Sequence, residues 1–188
     1  MDRMSSQVLR FRGFTLVELM VVLAVLGVAL VVAVPAMQRL SQSVQVRTEA
    51  RRLLAAIHLT RNEAIKRNVP VSLCPSPMAR TGVASCSGTY EGGWLVYTNL
   101  DRDKVIDTGT DEVIQVFEEM APGYRLTNRS GTRTAFELIN YLPDGTSRSN
   151  RTFLFCPPAP VSAPSRRIII NTVGRARLVT GGHPCSVA

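Results

Sequence analysis

The spacing of apolar residues divides the chain into a continuous apolar segment and a periodic one. After Glu18 the sequence is apolar without interruption from Leu19 to Met37. As a helix this run is roughly 28 Å long, close to the hydrocarbon thickness of a bilayer. Apolar residues then recur at three-to-four spacing through residues 38–68, at Leu40, Val44, Leu53, Leu54, Ile57 and Ile65. The pattern predicts one long helix that enters a folded head and ends at Asn68-Val69-Pro70.

From Val71 onward the periodicity changes to the alternation that is typical of β-strands. Strands are predicted at residues 71–74, 93–97, 113–117, 134–138, 152–156, 167–171 and 175–179. Clusters of Gly, Pro, Asn and Asp separate them, and the proline-rich residues 157–164 read as a loop between strands. The predicted fold class is therefore α+β, with a long N-terminal helix packed on an antiparallel sheet.

Composition and charge set limits on the function. The chain has 188 residues, 45% of them hydrophobic, which suffices for one domain with a core and one accessory element. Its net charge is +8. Residues 85–120 carry eight acidic and two basic groups, whereas residues 121–188 carry nine arginines and two acidic groups. This reversal suggests one surface for a neighbouring subunit and one for an anionic partner, although a well-solvated surface is the simpler alternative.

The basic N-terminal flank predicts the orientation of the chain in the membrane, and Glu18 suggests that the apolar helix also serves subunit assembly. The basic residues Arg3, Arg10 and Arg12 should remain in the cytoplasm, so the head is expected outside it. A secretory signal peptide is the alternative, but its apolar region would be shorter and would end in a small-x-small cleavage site. A carboxylate in hydrocarbon needs a partner. If the chain is cut after Gly13, Glu18 could neutralise the new amine of Phe14 in a neighbouring subunit; the alternative is a protonated or interfacial glutamate.

The string from Gly13 to Pro35, GFTLVELMVVLAVLGVALVVAVP, resembles the class III signal of type IV pilins and type II secretion pseudopilins. The resemblance implies that a prepilin peptidase cuts between Gly13 and Phe14 and methylates Phe14, that Glu18 serves assembly, and that Pro35 lets the helix bend. It implies a cleaved leader at residues 1–13, a transmembrane assembly helix at 14–37 and a periplasmic head at 38–188. The head consists of the continuing helix 38–68 and the β-rich part 71–188.

Four stretches of the head resemble the GspH/FimT branch of that family, namely residues 53–68, 70–76, 93–97 and 174–177. This resemblance implies a minor pilin or pseudopilin that starts or caps a filament. The expected location is the bacterial inner membrane, crossed once, followed by incorporation into a pilus or pseudopilus. The implied partners are other pilins or pseudopilins, the prepilin peptidase and the inner membrane.

The motif Gly174-Arg175-Ala176-Arg177 is the sharpest candidate for ligand binding. A hairpin turn at residues 172–174 would place Arg175 and Arg177 on one side of a strand, where two guanidinium groups can grip phosphates. Gly174 would let a backbone approach closely, and Arg148, Arg151, Arg166 and Arg167 could widen the basic surface. In FimT-like minor pilins this pattern is associated with double-stranded DNA binding in natural transformation. The alternatives are arginines that cover a sheet edge or fit an acidic neighbour, as in a type II secretion pseudopilin without DNA binding.

The cysteines suggest disulfides. Four cysteines allow three pairings, and free thiols are the remaining alternative. We expect the sequential pairs, because Cys74 and Cys86 flank one loop. Cys156 and Cys185 flank a longer one. Disulfides persist outside the cytoplasm, and the spacing does not match a zinc site.

The remaining motifs offer no enzyme chemistry. Residues Asp101–Asp107, followed by Asp111 and Glu112, invite a calcium interpretation, but interleaved Arg102 and Lys104 favour a solvated hairpin turn. No nucleotide-binding loop, metalloprotease motif or nucleophile elbow is present in the sequence. We expect a non-enzyme without cofactor or metal that is itself a peptidase substrate, and a membrane-anchored enzyme is the disfavoured alternative.

Overall fold

The computed structural model describes residues 15–158, 164–181 and 185, apart from the side chain at position 39. The chain forms two compact units, Met1–Gln38 and Arg39–Ala188. The expected leader, residues 1–13, and Phe14 lie outside the described residues. Helix α1, Leu16–Arg67, contributes to both units and contains Pro35.

Local chemistry defines both ends of α1. Thr15 precedes the helix, and its Oγ1 accepts a hydrogen bond from the Glu18 backbone N–H at 3.2 Å, which satisfies one of the free donors of the first turn. At the other end Asn68 has a φ of +56°. Asn tolerates this left-handed conformation and often follows a helix. Pro70 then prevents the helix from continuing.

In the unit Met1–Gln38 the helix has an exposed apolar surface. Its most apolar window has a mean hydropathy of 2.9, and none of that window is buried. By length and composition this helix could cross a membrane. Within the described residues it is the only such helix.

In the unit Arg39–Ala188 the buried face of α1 differs from the predicted one. The prediction is correct for Leu53 and Ile57, which are fully buried, but wrong for Leu40, Val44 and Ile65, which are 49–59% exposed. The buried residues follow a regular three-to-four spacing at Val46, Ala50, Leu53, Ile57, Thr60 and Ala64. Two of these residues, Ala50 and Ala64, are small members of the hydrophobic core, and a search for large aliphatic residues overlooks them.

Among the described residues, eight strands form two four-stranded sheets in which all paired strands are antiparallel. The strands are β1 Val71–Pro75, β2 Trp94–Thr98, β3 Val113–Phe117, β4 Arg125–Thr127, β5 Ile139–Tyr141, β6 Arg151–Cys156, β7 Arg166–Ile170 and β8 Ala176–Thr180. One sheet has the order β3-β2-β1-β5 and the other β4-β6-β7-β8. The predicted α+β class and antiparallel pairing are confirmed, with two sheets where the sequence suggested one.

The strand predicted at residues 134–138 is wrong. Thr134 forms only an isolated bridge with Thr127. The Phe136 N–H donates to the Glu137 side chain at 3.1 Å, so that it is not available to a neighbouring strand. Strand β5 begins directly afterwards, and β4, which has only three residues, was not predicted.

Two disulfides tie the head together. Cys74 at the end of β1 is bonded to Cys86, and the loop between them contains the short helix α2, Met78–Thr81. Cys156 at the end of β6 is bonded to Cys185, which follows β8. No free cysteine is present. The cross-links match the sequential pairing and hold the loops at the ends of β1 and β6.

Candidate functional site

The arginine motif lies on the β7–β8 hairpin. The Gly174 N–H donates to the Asn171 carbonyl at 2.9 Å, and the Asn171 N–H donates to the Arg175 carbonyl at 3.1 Å. Gly174 has a φ of +81°, a left-handed conformation that suits glycine at the end of a three-residue hairpin loop. The Asn171 side chain also accepts from the Arg175 N–H at 2.7 Å. The turn therefore lies at residues 172–174, as predicted, and fixes the backbone beside both arginines.

Arg175 and Arg177 project from the outer face of this hairpin. Ala176 and Leu178, between and beside them, pack against the hydrophobic core. Because side chains alternate along a strand, the arginines lie on the opposite, solvent side, and both are exposed. Within the described part of the chain neither guanidinium has a hydrogen bond or an ion pair. Two unpaired charges on an edge strand form a surface suited to an anion.

Of the four arginines expected to widen this surface, Arg166 and Arg167 lie on different faces of the hairpin. In the β7–β8 register Arg167 is opposite Val179, which places it on the outer face with Arg177. Arg166 is opposite Thr180, and its guanidinium donates to the Thr180 hydroxyl. The structure thus brings Arg167 to the predicted surface and directs Arg166 away from it.

Gly174 has a structural role that corrects the prediction of a ligand contact. It is buried, and a Cβ built on it would lie 2.0 Å from the Gly145 carbonyl oxygen. The Tyr141 hydroxyl donates to the Gly174 carbonyl at 3.1 Å. Burial raises the pKa of Tyr141 to about 12, so this phenol keeps its proton near neutral pH. The space beside Gly174 is thus filled by the turn that connects β5 and β6 and is closed to a phosphate.

The turn between β5 and β6, which packs against Gly174, also contacts helix α1. The Gly145 carbonyl accepts from Arg61 Nε at 2.9 Å. A Cβ on Gly145 would lie 2.8 Å from the Ile65 side chain. A chain of close contacts therefore links the helix, the β5–β6 turn and the arginine hairpin, and it gives the exposed arginines a rigid base.

The assembly residues belong to the exposed apolar unit. Gly13 and Phe14 lie outside the described residues. Glu18 lies in the first turn of α1 and is exposed. In the described part of the chain its carboxylate has no hydrogen bond or ion pair. It is thus a carboxylate in an apolar helix without a partner among residues 15–158, 164–181 and 185.

The acidic loop is built by local hydrogen bonds. Asp101 Oδ1 accepts from the Asp103 N–H at 3.3 Å, and Asp103 Oδ1 accepts from the Val105 N–H at 2.6 Å. Partial desolvation and the nearby carboxylates of Asp101, Asp103 and Asp111 raise the pKa of Asp107. Among the described residues no three His, Cys, Asp or Glu side chains are gathered in the manner of a metal site. The contacts fit the interpretation as a turn.

Two further arginines do not join the predicted surface. Arg148 and Arg151 were expected to widen it, but they line a separate cavity together with Arg102. The spacing of residues in the sequence did not predict this cavity, because its lining residues come from three separate segments.

Comparison with known proteins identifies the family. A family model described as "Type II transport protein GspH" matches residues 49–174, two thirds of the chain. The chain belongs to the GspH family. The prokaryotic N-terminal methylation motif matches residues 9–34. GspH-type chains are structural subunits of the pilin class and not an enzyme family, and the methylation motif implies processing by a prepilin peptidase.

One solved structure, of a type IV minor pilin, shows a similar fold. The Pseudomonas aeruginosa type IV minor pilin FimU is 18% identical, with a TM-score of 0.50, over 75% of this chain and 90% of FimU. The minor pseudopilin EpsH of the Vibrio cholerae type 2 secretion system is 14% identical, with a TM-score of 0.47, over 72% of this chain and 97% of EpsH. No curated protein matches the chain significantly.

Proposed function

We propose that this protein is a minor subunit of a type IV pilus, stored in the inner membrane and assembled through residues 14–37. A prepilin peptidase cuts between Gly13 and Phe14 and methylates the Phe14 amine. Residues 38–188 form a periplasmic head that takes part in starting or capping the filament. The observation that supports this best is the exposed apolar helix with a carboxylate, Glu18, that has no partner in the described part of a chain that carries the methylation motif.

Assembly follows from electrostatics in an apolar medium. An unpaired carboxylate in hydrocarbon is costly, and so is an unpaired amine. When two processed helices pack side by side, Glu18 of one subunit can neutralise the Phe14 amine of the next. Since many axial staggers of two apolar helices bury similar area, this charged pair selects one of them. Pro35 removes one helical hydrogen bond and gives the helix a place to bend inside the filament.

The head supplies a ligand site for DNA in this proposal. Arg175 and Arg177 are exposed, lie on one face and have no carboxylate partner in the described chain. Arg167 adds charge on the same face. Contacts of this kind reach phosphates and not base edges, so binding is independent of sequence and weakens with salt. Such a subunit would take part in DNA uptake.

A second candidate function is a minor pseudopilin of a type II secretion system that binds no DNA. The description of the matching family model favours it. In that case the outer face of β8 would meet an acidic neighbouring subunit. The two functions differ in one measurable property, namely DNA binding by the head.

Replacing Arg175 and Arg177 by glutamine is expected to weaken binding to duplexes of unrelated sequence by the same factor. The slope of log K against log salt concentration should fall by about 1.8, since each lost phosphate contact removes about 0.9. Fluorescence anisotropy of the full chain in detergent, over a salt series, measures both quantities.

The control for this experiment is Arg51→Gln with Arg129→Gln, which removes the same charge from exposed positions elsewhere on the head. This control variant should keep most of the DNA affinity and nearly the same dependence of log K on log salt concentration. If both double variants lost the same DNA affinity, the net charge of the head would explain the binding, and Arg175 and Arg177 would have no specific role. No DNA binding by the unaltered chain would favour the pseudopilin function.

A further inference from the structure

Half of the residues that line a small cavity in the head are arginines. Its volume is about 180 Å³, and its lining residues are Arg102, Asn140, Leu142, Arg148, Ser149 and Arg151. Three of the six carry a guanidinium and none carries a carboxylate. Like charges repel one another, so a lining with three guanidinium groups and no carboxylate is stabilised when an anion occupies the cavity.

The two neutral polar residues have donors left for a ligand. Asn99 Nδ2 donates to Ser72 Oγ at 2.9 Å, so the Ser72 hydroxyl proton is directed to Asn140 Oδ1. This relay uses the acceptor of Asn140 and leaves its amide N–H groups. Ser149 Oγ accepts from Arg151 Nε at 3.0 Å, which leaves the Ser149 hydroxyl proton. Asn140 and Ser149 can therefore each donate a hydrogen bond to an anion in the cavity.

The backbone around the cavity is held in place. Thr172 accepts a hydrogen bond from the Ser147 N–H at 3.1 Å, and its own N–H donates to Asn150 Oδ1 at 3.0 Å. The segment that carries Arg148 and Arg151 is thereby fixed to the β7–β8 turn. Arg102 has a φ of +66°, which is unfavourable for an arginine. Strained backbone of this kind is found disproportionately at binding sites.

Nearby carboxylates lie outside the lining. Hydrogen bonds from Thr146 lower the pKa of Asp144, and the charge of Arg148 lowers it further, so part of the Arg148 charge is balanced. Asp101 and Asp103 flank Arg102 in sequence but use a side-chain oxygen each for N–H groups of their own turn. The net charge of the lining itself stays positive.

We propose that this arginine cavity, formed by Arg102, Arg148 and Arg151 with Asn140 and Ser149, binds one phosphate group. Guanidinium groups match phosphate oxygens with paired hydrogen bonds. The volume is below the roughly 300 Å³ at which pockets for drug-sized ligands begin, so the cavity itself holds a group of the size of one tetrahedral anion. The phosphate is either free or the terminal phosphate of a DNA strand. The site does not depend on Arg175 and Arg177.

Thermal unfolding and titration calorimetry of the full chain in detergent, with inorganic phosphate as the probe, test the proposal. Phosphate should raise the unfolding midpoint above that in chloride or acetate of equal ionic strength, since a ligand that binds only the native state stabilises it. Arg148→Gln and Arg102→Asn should each weaken phosphate binding about tenfold or more. Asparagine at position 102 tolerates the left-handed backbone, so that variant keeps the turn.

The control variants Arg129→Gln and Arg51→Gln, at exposed positions outside both proposed sites, should bind phosphate as the unaltered chain does. Equal stabilisation by acetate, no stabilisation, or unchanged binding in both cavity variants would overturn the proposal. Duplexes with and without a 5′-phosphate then identify the source. A preference for the phosphorylated end that free phosphate abolishes indicates DNA ends, and phosphate binding without that preference indicates the free ion. Loss of DNA binding in the Arg175 and Arg177 variants leaves these outcomes unaffected.

Discussion

Alanine in place of Gly174 is expected to lower the free energy of unfolding by about 3 kcal/mol. The left-handed backbone costs an L-residue about 1–2 kcal/mol. The new methyl group must also displace the Gly145 carbonyl, since the built Cβ lies only 2.0 Å from that oxygen, and overpacking of this kind costs about 1–3 kcal/mol. In a domain of this size the midpoint of thermal unfolding should fall by about 6–12 °C, measured by circular dichroism.

The matched control is Gly82→Ala. Gly82 also has a left-handed backbone, with a φ of +72°, but nothing lies within 4 Å of its built Cβ. The free energy of unfolding of this variant should therefore fall only by the cost of the left-handed backbone, about 1–2 kcal/mol. If both variants lose the same stability, the close packing of the two turns does not stabilise the head, and the structural role assigned to Gly174 is wrong.

Glu18→Ala should reduce incorporation into filaments about tenfold or more while the protein remains in the membrane. Removing one member of a buried charge pair leaves the other charge unpaired, at a cost of about 3–5 kcal/mol. In the variant that charge is the Phe14 amine of the neighbouring subunit. The measurement is the ratio of this protein in sheared filaments to that in membranes, with the other subunits present.

Two further variants separate charge from general damage. Glu18→Gln keeps the size of the side chain but loses its charge, and it should fail as Glu18→Ala does. Glu118→Gln makes the same change on an exposed residue of the head and should assemble normally. Normal incorporation of Glu18→Gln would show that the carboxylate charge does not direct assembly.

Local sequence patterns predicted most of the fold. The apolar run and the three-to-four periodicity predicted α1, and alternation predicted β1, β2, β3, β6, β7 and β8 within a residue or two. These signals are local, since they lie in the residues of each strand or helix and need no contact with a distant segment. The incorrect predictions also have physical causes. The buried face of α1 was misplaced because the alanines at positions 50 and 64 are buried but weakly hydrophobic. Residues 134–138 alternate, but the Glu137 side chain takes the N–H group that a ladder would need.

The candidate site was predictable only in part. Alternation alone places Arg175 and Arg177 on one face. The role of Gly174 depends on Gly145, far away in the sequence, and no local pattern reveals that contact. The arginine cavity likewise gathers Arg102, Asn140 and Arg148 from separate segments. Contacts between distant segments depend on the tertiary fold, and a single sequence does not specify them.

The most direct test of the proposed function is the intact mass of the protein recovered from filaments of its native host. The account predicts a chain that begins at Phe14, without residues 1–13, and carries one added methyl group. Such a chain has the free amine that Glu18 of a neighbour requires. A protein that still begins at Met1, found in the membrane and absent from filaments, would contradict it.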